Sequence, residues 1–480
     1  MSYSRIKPLV IALFGTLCFP HFASPQDTQQ SEVPGIEQLL AGYLERDAGI
    51  KELVLKMRQT ELERNRTGIE QGINVNLSTG IMRLMFSEET SSLDVVPRAE
   101  LELPSLNGTN ISISVPMTVG SGTAASFDVE NAQIALSTEL TTRAQKQRKL
   151  DLIKADRALL EAKRALNVQA LTAEKLFFET LRSLYEHEAD ALSKEEEAYT
   201  KEIELALAQS QGYPPSSVRY RTVELEAAHA HRAAERQHHI FHRNLSIFAR
   251  DCGAFMTKLP ENVTELNIEE AGEFGQNDEK LRFAALESAK WQAYLGKMTR
   301  DAEGNFGLSA KGGFTAHNTY LTKRTSADIG LTLDWKGVGL SLGAELPLSG
   351  TNKTPAFTLS FNFNTRTQRL STFQDAEKKI ALEREALALT NAERNWEETV
   401  DAMREERADL IWEKTRSIEQ HKLYRELAND TTAWYHRGVI SESEWRKTSI
   451  NEKRARYQIL IAELAIRIHF INAALCFVED

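Results

Sequence analysis

Cysteine is almost missing, with three in 480 residues, and this leaves no framework of disulfides to hold a small core. Proline and glycine, twelve and twenty-five in all, are absent altogether from Thr141 to Gln211 and from Thr365 to Arg437. Stretches that long without either breaker exclude ordinary globular helices and turns. There is no basic run, and the formal net charge is −10, which argues against a nucleic-acid partner. No Gly-rich phosphate loop, nucleophile elbow or paired-cysteine zinc pattern occurs. The sequence therefore names no catalytic residue, no cofactor and no metal, and an enzyme is not expected. Beyond residue 24 no apolar run reaches the roughly 18 residues of a spanning helix. If the chain crosses a membrane, it must do so as strands.

What is present begins with an export signal. Arg5 and Lys7 precede an apolar run from Pro8 to Phe19, and small residues at Ala23 and Ser24 offer a cleavage point, so residues 1–24 read as a signal peptide. Cys18, a candidate for lipidation, follows the bulky Leu17. In the first breaker-free stretch Leu152, Ala155, Leu159, Ala162, Leu166, Ala170, Ala173, Phe177, Leu181 and Leu184 recur at spacings of three and four, a coiled-coil seam. Dense Glu, Lys and Arg on the flanks predict a solvated opposite face. At 1.5 Å per residue such a helix is about 100 Å long. Shorter breaker-free segments, Ser216 to Cys252 and Val439 to Asp480, follow each long one. Ser441 and Glu444 have the spacing of a capping box, so one helix ends near Gly438 and another starts near Ser441. Two helices so joined fold back as an antiparallel hairpin.

Between the helices the period changes from 3.6 to 2. Ile73, Val75 and Leu77 alternate with Asn74, Asn76 and Ser78; Arg98 to Met117 sets Asn107-Gly108, a strong hairpin signal, between two alternating strands; Phe127 to Leu140 leads into the first long helix. In the second half Asp328 to Leu348 reads as strand, turn and strand about Lys336-Gly337. Phe357, Leu359, Phe361 and Phe363 then alternate with Thr358, Ser360, Asn362 and Asn364. Such segments suit a membrane barrel or a soluble sandwich. The order of elements repeats. A first repeat over 25–252 takes a short helix 36–67, strands 72–140, a long helix 141–211 and a half-length helix 216–252. A linker covers 253–274. A second repeat over 275–480 takes a short helix 276–302, strands 305–365, a long helix 366–437 and a half-length helix 441–476. Each strand region reads as four segments, and two short helices end to end match one long helix.

This layout resembles the TolC-like outer membrane efflux protein family over essentially the whole exported chain. The family's turn pattern of Gly, two residues, Ser or Thr, two residues, acid and hydrophobic is met at Gly438, Ser441, Glu444 and Trp445. The other turn keeps Gly212 but has Arg219 three places after Ser216. The resemblance implies an α+β membrane protein, a transmembrane antiparallel β-barrel continuous with a long α-helical coiled-coil barrel. It further implies a homotrimer that serves as the outer membrane exit duct of a tripartite efflux or type I secretion system. Its periplasmic turns, with Gly212, Tyr213, Pro214, Pro215, Gly438, Val439, Ile440, Ser441 and Trp445, would contact an adaptor coupled to an inner-membrane transporter. Glu444 and Lys447 would stand at the pore gate. The chain departs from the family in having Gly72 and Gly304 where a proline is usual, in four strand segments per half where two are usual, and in Lys447 where an acid is usual.

Two other readings stay open, a periplasmic adaptor of the membrane-fusion type and a non-transporting coiled-coil protein of the envelope. His231, Glu235, His238 and His242 share one helical face with the Glu-x-x-His spacing of di-metal bundles, yet no second such motif occurs to face it. The face reads as solvated. Cys252 and Cys476 end equivalent helices and could be joined or free.

Overall fold

The structure, a computed structural model, describes residues 35–478 apart from 81, 87–90, 121–125, 129–130, 261–279, 281, 305, 320–321, 337 and 350–353. The expected signal peptide, Cys18, residues 261–274 of the expected linker and Gly337 lie outside the described residues. Two compact units are formed. The first takes residues up to Val54, Arg164–Ala284 and Asn395 onward; the second takes Leu55–Lys163 and Ala285–Arg394.

The helices are α1 (Ile36–Arg46), α2 (Ala48–Glu70), α3 (Arg143–Ser210), α4 (Val218–Cys252), α5 (Ala284–Ala302), α6 (Thr365–His436) and α7 (Glu442–Leu475). The single short helix expected over 36–67 is therefore two. Asp47 leaves helical geometry with ψ 121, and its Oδ1 accepts the Ile50 N–H at 2.7 Å, so a short acceptor side chain ends one helix and caps the next. The break lets α1 dock on the end of α4. Arg46 donates from Nη1 to the Arg250 carbonyl at 3.0 Å, where a cation suits the negative end of the helix dipole. Gly42 makes the approach possible, because a Cβ there would lie 2.2 Å from the Cys252 carbonyl oxygen. The second short helix makes a similar junction: Ala284 N–H donates to the Cys476 carbonyl at 2.9 Å.

The first unit buries one apolar core. Leu39 and Leu44 of α1, Phe177, Phe178, Leu181 and Tyr185 of α3, Leu245 and Phe248 of α4, and Leu464 and Ile468 of α7 are all buried in it. Phe177 lies at its centre, with ring centroids 5.2 Å from Phe178, 5.4 Å from Phe248 and 5.6 Å from Tyr43. The seam expected along α3 is buried from Ala162 toward the C-terminus except at the half-buried Ala170, whereas Leu152 is exposed. Near that end, in the second unit, Arg157 takes up buried space in a bidentate pair with Glu287 (2.6 and 3.0 Å). Among the described residues α7 is the one helix long and apolar enough to cross a membrane by length and composition. Glu463 and Arg467 interrupt its apolar run, which hid this in the sequence, and its apolar side is spent in the core.

The second unit carries the strands β1 (Asn74–Ser78), β2 (Met82–Phe86), β3 (Ser91–Val95), β4 (Arg98–Leu103), β5 (Thr109–Ser114), β6 (Met117–Gly120), β7 (Ser126–Phe127), β8 (Gln133–Glu139), β9 (Phe306–Thr319), β10 (Thr322–Trp335), β11 (Val338–Ser349) and β12 (Ala356–Phe363). Eight of them form one antiparallel sheet in the order β1-β4-β5-β8-β9-β10-β11-β12, and β2-β3-β6-β7 form a second. Three expected strands are shorter than read. The segment 73–81 stops at Ser78, 98–117 splits before Val115-Pro116, and 127–140 is interrupted before Gln133. Asn107 and Gly108 both take positive φ (54 and 67), but they close a longer turn that starts at Pro104.

Strand register sorts the eight-stranded sheet into two chemically opposite faces. One row of paired positions runs Val75, Leu101, Ile111, Leu136, Gly312, Ile329, Ala344, Phe357 across all eight strands. The neighbouring row, on the other face, runs Asn76, Glu100, Ser112, Ala135, Gly313, Asp328, Glu345, Ala356. The apolar face is open: Val75 is 61% exposed, Ile329 55% and Phe357 76%. Among the described residues the sheet of one chain is not closed, since neither β1 nor β12 has a second partner there.

Truncation should separate core from surface at adjacent positions. Phe177→Ala is expected to cost about 3–5 kcal/mol in urea unfolding. Leu176→Ala, at a side chain 52% exposed, should stay within about 0.5 kcal/mol.

Candidate functional site

Both long helices stop at a glycine in the left-handed region, Gly212 with φ 72 and Gly438 with φ 70. The bonding is the same at each. Gly212 N–H donates to the Gln209 carbonyl and Tyr213 N–H to that of Ala208; Gly438 N–H donates to Tyr435 and Val439 N–H to Trp434. Each pair of bonds satisfies the last free carbonyls of its helix, and glycine supplies the backbone conformation without a Cβ penalty.

The two turns then diverge. After Gly212, Pro214 and Pro215 are exposed and the Pro214 carbonyl accepts the Ser217 N–H at 2.8 Å. Ser217, not Ser216, caps α4 by accepting the Tyr220 N–H. Where an acid would complete the pattern, the Arg219 guanidinium lies 4.6 Å over the Tyr213 ring and donates to its hydroxyl at 2.7 Å. After Gly438, Ser441 and Glu444 form the full capping box: Ser441 Oγ accepts the Glu444 N–H at 3.2 Å, and Glu444 Oε2 accepts the Ser441 N–H at 3.1 Å. Trp445 stacks on Tyr435 at 5.0 Å and donates from Nε1 to Thr432 Oγ1 at 3.1 Å. These contacts staple the start of α7 to the end of α6. Val439 and Val218 are left exposed beside the turns, at 69% and 83%.

One turn further along, α7 is laced to α3 by polar side chains. Arg446 donates to the Tyr199 hydroxyl at 2.8 Å, Lys447 Nζ lies 3.5 Å from Thr200 Oγ1 and 3.8 Å from Glu196 Oε1, and Arg454 donates to Glu196 at 2.8 Å. Tyr457 donates to Glu188 at 2.7 Å and Arg467 to Glu174 at 2.7 Å. Sequence reading missed this ladder, since its α3 members look like ordinary surface charges. Of the two residues expected at a gate, Glu444 is engaged by its own cap and Lys447 leans on α3 of the same chain. Burial holds the Glu188 carboxyl above the ordinary carboxylate range, and the Tyr457 hydroxyl, His238, Lys453 and His242 pull it back down.

The remaining candidates form no site. His231 lies 3.6 Å from Glu235 and His238 lies 3.6 Å from Glu195, while His242 packs on the Phe241 ring. Among the described residues no group of three His, Cys, Asp or Glu could hold a metal. Cys252 and Cys476 are both free thiols. Cys252 is buried among the α1 and α4 core residues, which pushes its thiol up to about 12. Cys476 instead packs against Met403 and Ala473.

The chain thus joins paired helical hairpins to an amphipathic antiparallel sheet. It belongs to the TP096X family, whose N-terminal domain matches residues 39–268 and whose C-terminal domain matches residues 277–480. It is 26% identical over 357 residues to an uncharacterized protein of Treponema pallidum (strain Nichols), in an alignment that takes in 70% of this chain and 61% of that relative's length. Among solved structures it is similar to a membrane protein from Pseudomonas aeruginosa (12% identity, 91% of this chain and 92% of that chain, TM-score 0.45). It is also similar to the CmeC outer membrane channel of Campylobacter jejuni (12%, 96% and 96%, 0.43) and to the open state of the MtrE outer membrane channel of Neisseria gonorrhoeae (13%, 94% and 97%, 0.40).

Two measurements test the turns and the α3–α7 ladder. Ser441→Ala should cost about 1 kcal/mol and speed amide exchange in the first turn of α7. Glu188 binds its proton more tightly in the folded than in the unfolded chain, so its contribution to stability is present below its ordinary value of 4.5 and lost as pH rises through the raised folded value. Glu188→Gln should remove that step from the curve of urea midpoint against pH.

Proposed function

We propose that the protein is a homotrimeric outer membrane channel, the passive exit duct of a tripartite efflux or type I secretion system, and not an enzyme. The observation that carries this reading is the apolar face of the eight-stranded sheet, open to its surroundings and continuous to both unpaired edges. From Ala327 to Trp335 the apolar positions of β10 span about 26 Å at about 3.3 Å per residue, which suits the apolar band of about 25 Å on a membrane barrel. In lipid the unpaired edges of β1 and β12 would each leave a row of backbone groups unsatisfied, so the sheet must close. A second copy is the partner of matching chemistry. With eight strands alternating in direction, β12 of one copy meets β1 of the next antiparallel.

The flanking helices favour the same assembly. α2 runs into β1 and exposes Leu55, Leu62 and Ile69 at heptad spacing; α6 leaves β12 and exposes Phe373, Ile380 and Leu387 at the same spacing. Each flank is a strand edge plus an apolar helical stripe, and head-to-tail pairing of unlike flanks closes into a ring. The helical parts would extend into the periplasm, with the turns at 212–218 and 438–445 docking an adaptor that couples to an inner-membrane transporter. The gate would fall at the first turns of α7, where Glu444 and Lys447 of three copies gather about the axis and Arg446 and Lys447 tie α7 to α3.

Light scattering in mild detergent should give three chains per particle, and planar bilayers should show conductance. Arg446→Ala, which frees α7 from Tyr199, should raise the open fraction, while Glu444→Gln should weaken the sensitivity of the current to divalent cations. A monodisperse monomer without conductance would exclude the channel and favour an adaptor or a structural coiled coil.

A further inference from the structure

The breaks in four consecutive strands fall on one line. β1 gives way before Gly80, β3 passes to β4 through Val96-Pro97, β5 to β6 through Val115-Pro116, and β7 ends just before Asp128. Cross-strand bonds keep the breaks level: Val115 N–H donates to the Pro97 carbonyl at 3.2 Å, and Asp128 N–H to the Pro116 carbonyl at 2.7 Å. Pro97 and Pro116 have no N–H to return either bond, so the ladder is half-cut in both places. Gly80 takes φ +62, and a Cβ there would lie 2.0 Å from the Val96 carbonyl oxygen. Beyond this line β2-β3-β6-β7 pair in the same lateral order as β1-β4-β5-β8 before it. The small sheet is the continuation of half of the large one, set off by a crease.

Among the described residues neither β2 nor β7 pairs with β9 or β12, although β9 and β10 run unbroken past the crease, where Ala316 N–H donates to the Ala132 carbonyl at 3.0 Å. Within the described residues the four strands are thus linked to the large sheet along the crease itself. They lie at the end of the sheet away from the helices, since α2 enters β1 and α3 leaves β8 at the opposite end.

We propose that β2-β3-β6-β7 is a hinged flap that swings about the Gly80, Pro97 and Pro116 crease and gates the outer mouth of the channel, a role that rests on the channel reading above. The crease provides the hinge because its missing donors lower the cost of bending along that line. Pro97→Val with Pro116→Val would supply the two absent N–H groups opposite the Val115 and Asp128 carbonyls and stiffen it.

Spin labels on the flap at Leu84 and on β11 at Leu342, both exposed, report the motion in full-length protein reconstituted in lipid, sparsely labelled, with the chain's cysteines changed to serine. Two distance populations are expected in the parent protein. The double valine variant should shift them roughly tenfold toward one, as two restored ladder hydrogen bonds would, and reduce spontaneous closures of the current to match. A single narrow distance, the same in both proteins, overturns the flap whatever current flows. Two populations with no current in either protein overturn the channel reading and leave the hinge standing without its gating role.

Discussion

Everything distinctive in this chain follows from an amphipathic sheet one layer thick. A sheet with one apolar face normally buries it under helices or a second sheet. Here the rows through Val75 and Phe357 remain open while the opposite face carries Asn76, Glu100 and Asp328. Water suits one face and not the other. Phe357, Leu359, Phe361 and Phe363 along a wholly exposed edge strand could not persist in water without association. In the channel proposed above, hydrocarbon outside and water inside would satisfy both faces without any further layer.

The helical unit meets a different demand. Its core around Phe177 and Leu464 is packed from four helices, but the α3–α7 seam between it and the turns is held by polar tips, Arg446 on the Tyr199 hydroxyl and Arg454 on Glu196. Interlocked apolar side chains resist sliding, whereas polar tips exchange partners with water at low cost. The hairpins are therefore fixed where the core is and adjustable toward the turns. The turns themselves are held locally, by Schellman bonds at Gly212 and Gly438 and by the capping box at Ser441.

How far the sequence could be read depended on whether a feature is periodic. Spacing at 3.6 and 2 located α3, β10 and β12, the absence of glycine and proline located α6, and Ser441 with Glu444 announced a helix start. Asp47 was silent because aspartate is common inside helices and only its bond to Ile50 shows that it breaks one. Arg157 sits in an apolar seam because Glu287, far away in sequence, reaches it. The prolines were visible but ambiguous. Pro347 is carried within β11 at a shift of register beside Ser326, while Pro116 ends its strand. Of the turn residues, composition marked both glycines, but the stacking of Arg219 on Tyr213 in place of an acid required geometry.

The open edges of β1 and β12 also bear on how the protein is made. Until its flanks are covered, a newly folded chain exposes the edges of the five-residue β1 and the eight-residue β12, the second with Phe357, Leu359, Phe361 and Phe363 along it, and open edges of that kind drive edge-to-edge aggregation. Productive assembly needs collisions between like chains in the right order, and misassembly needs only collisions. Both accelerate with concentration, so the yield turns on how long a single chain stays in water before it reaches lipid. For the trimer proposed above, slow delivery and escorted transit would then raise the yield more than added stability of the isolated chain.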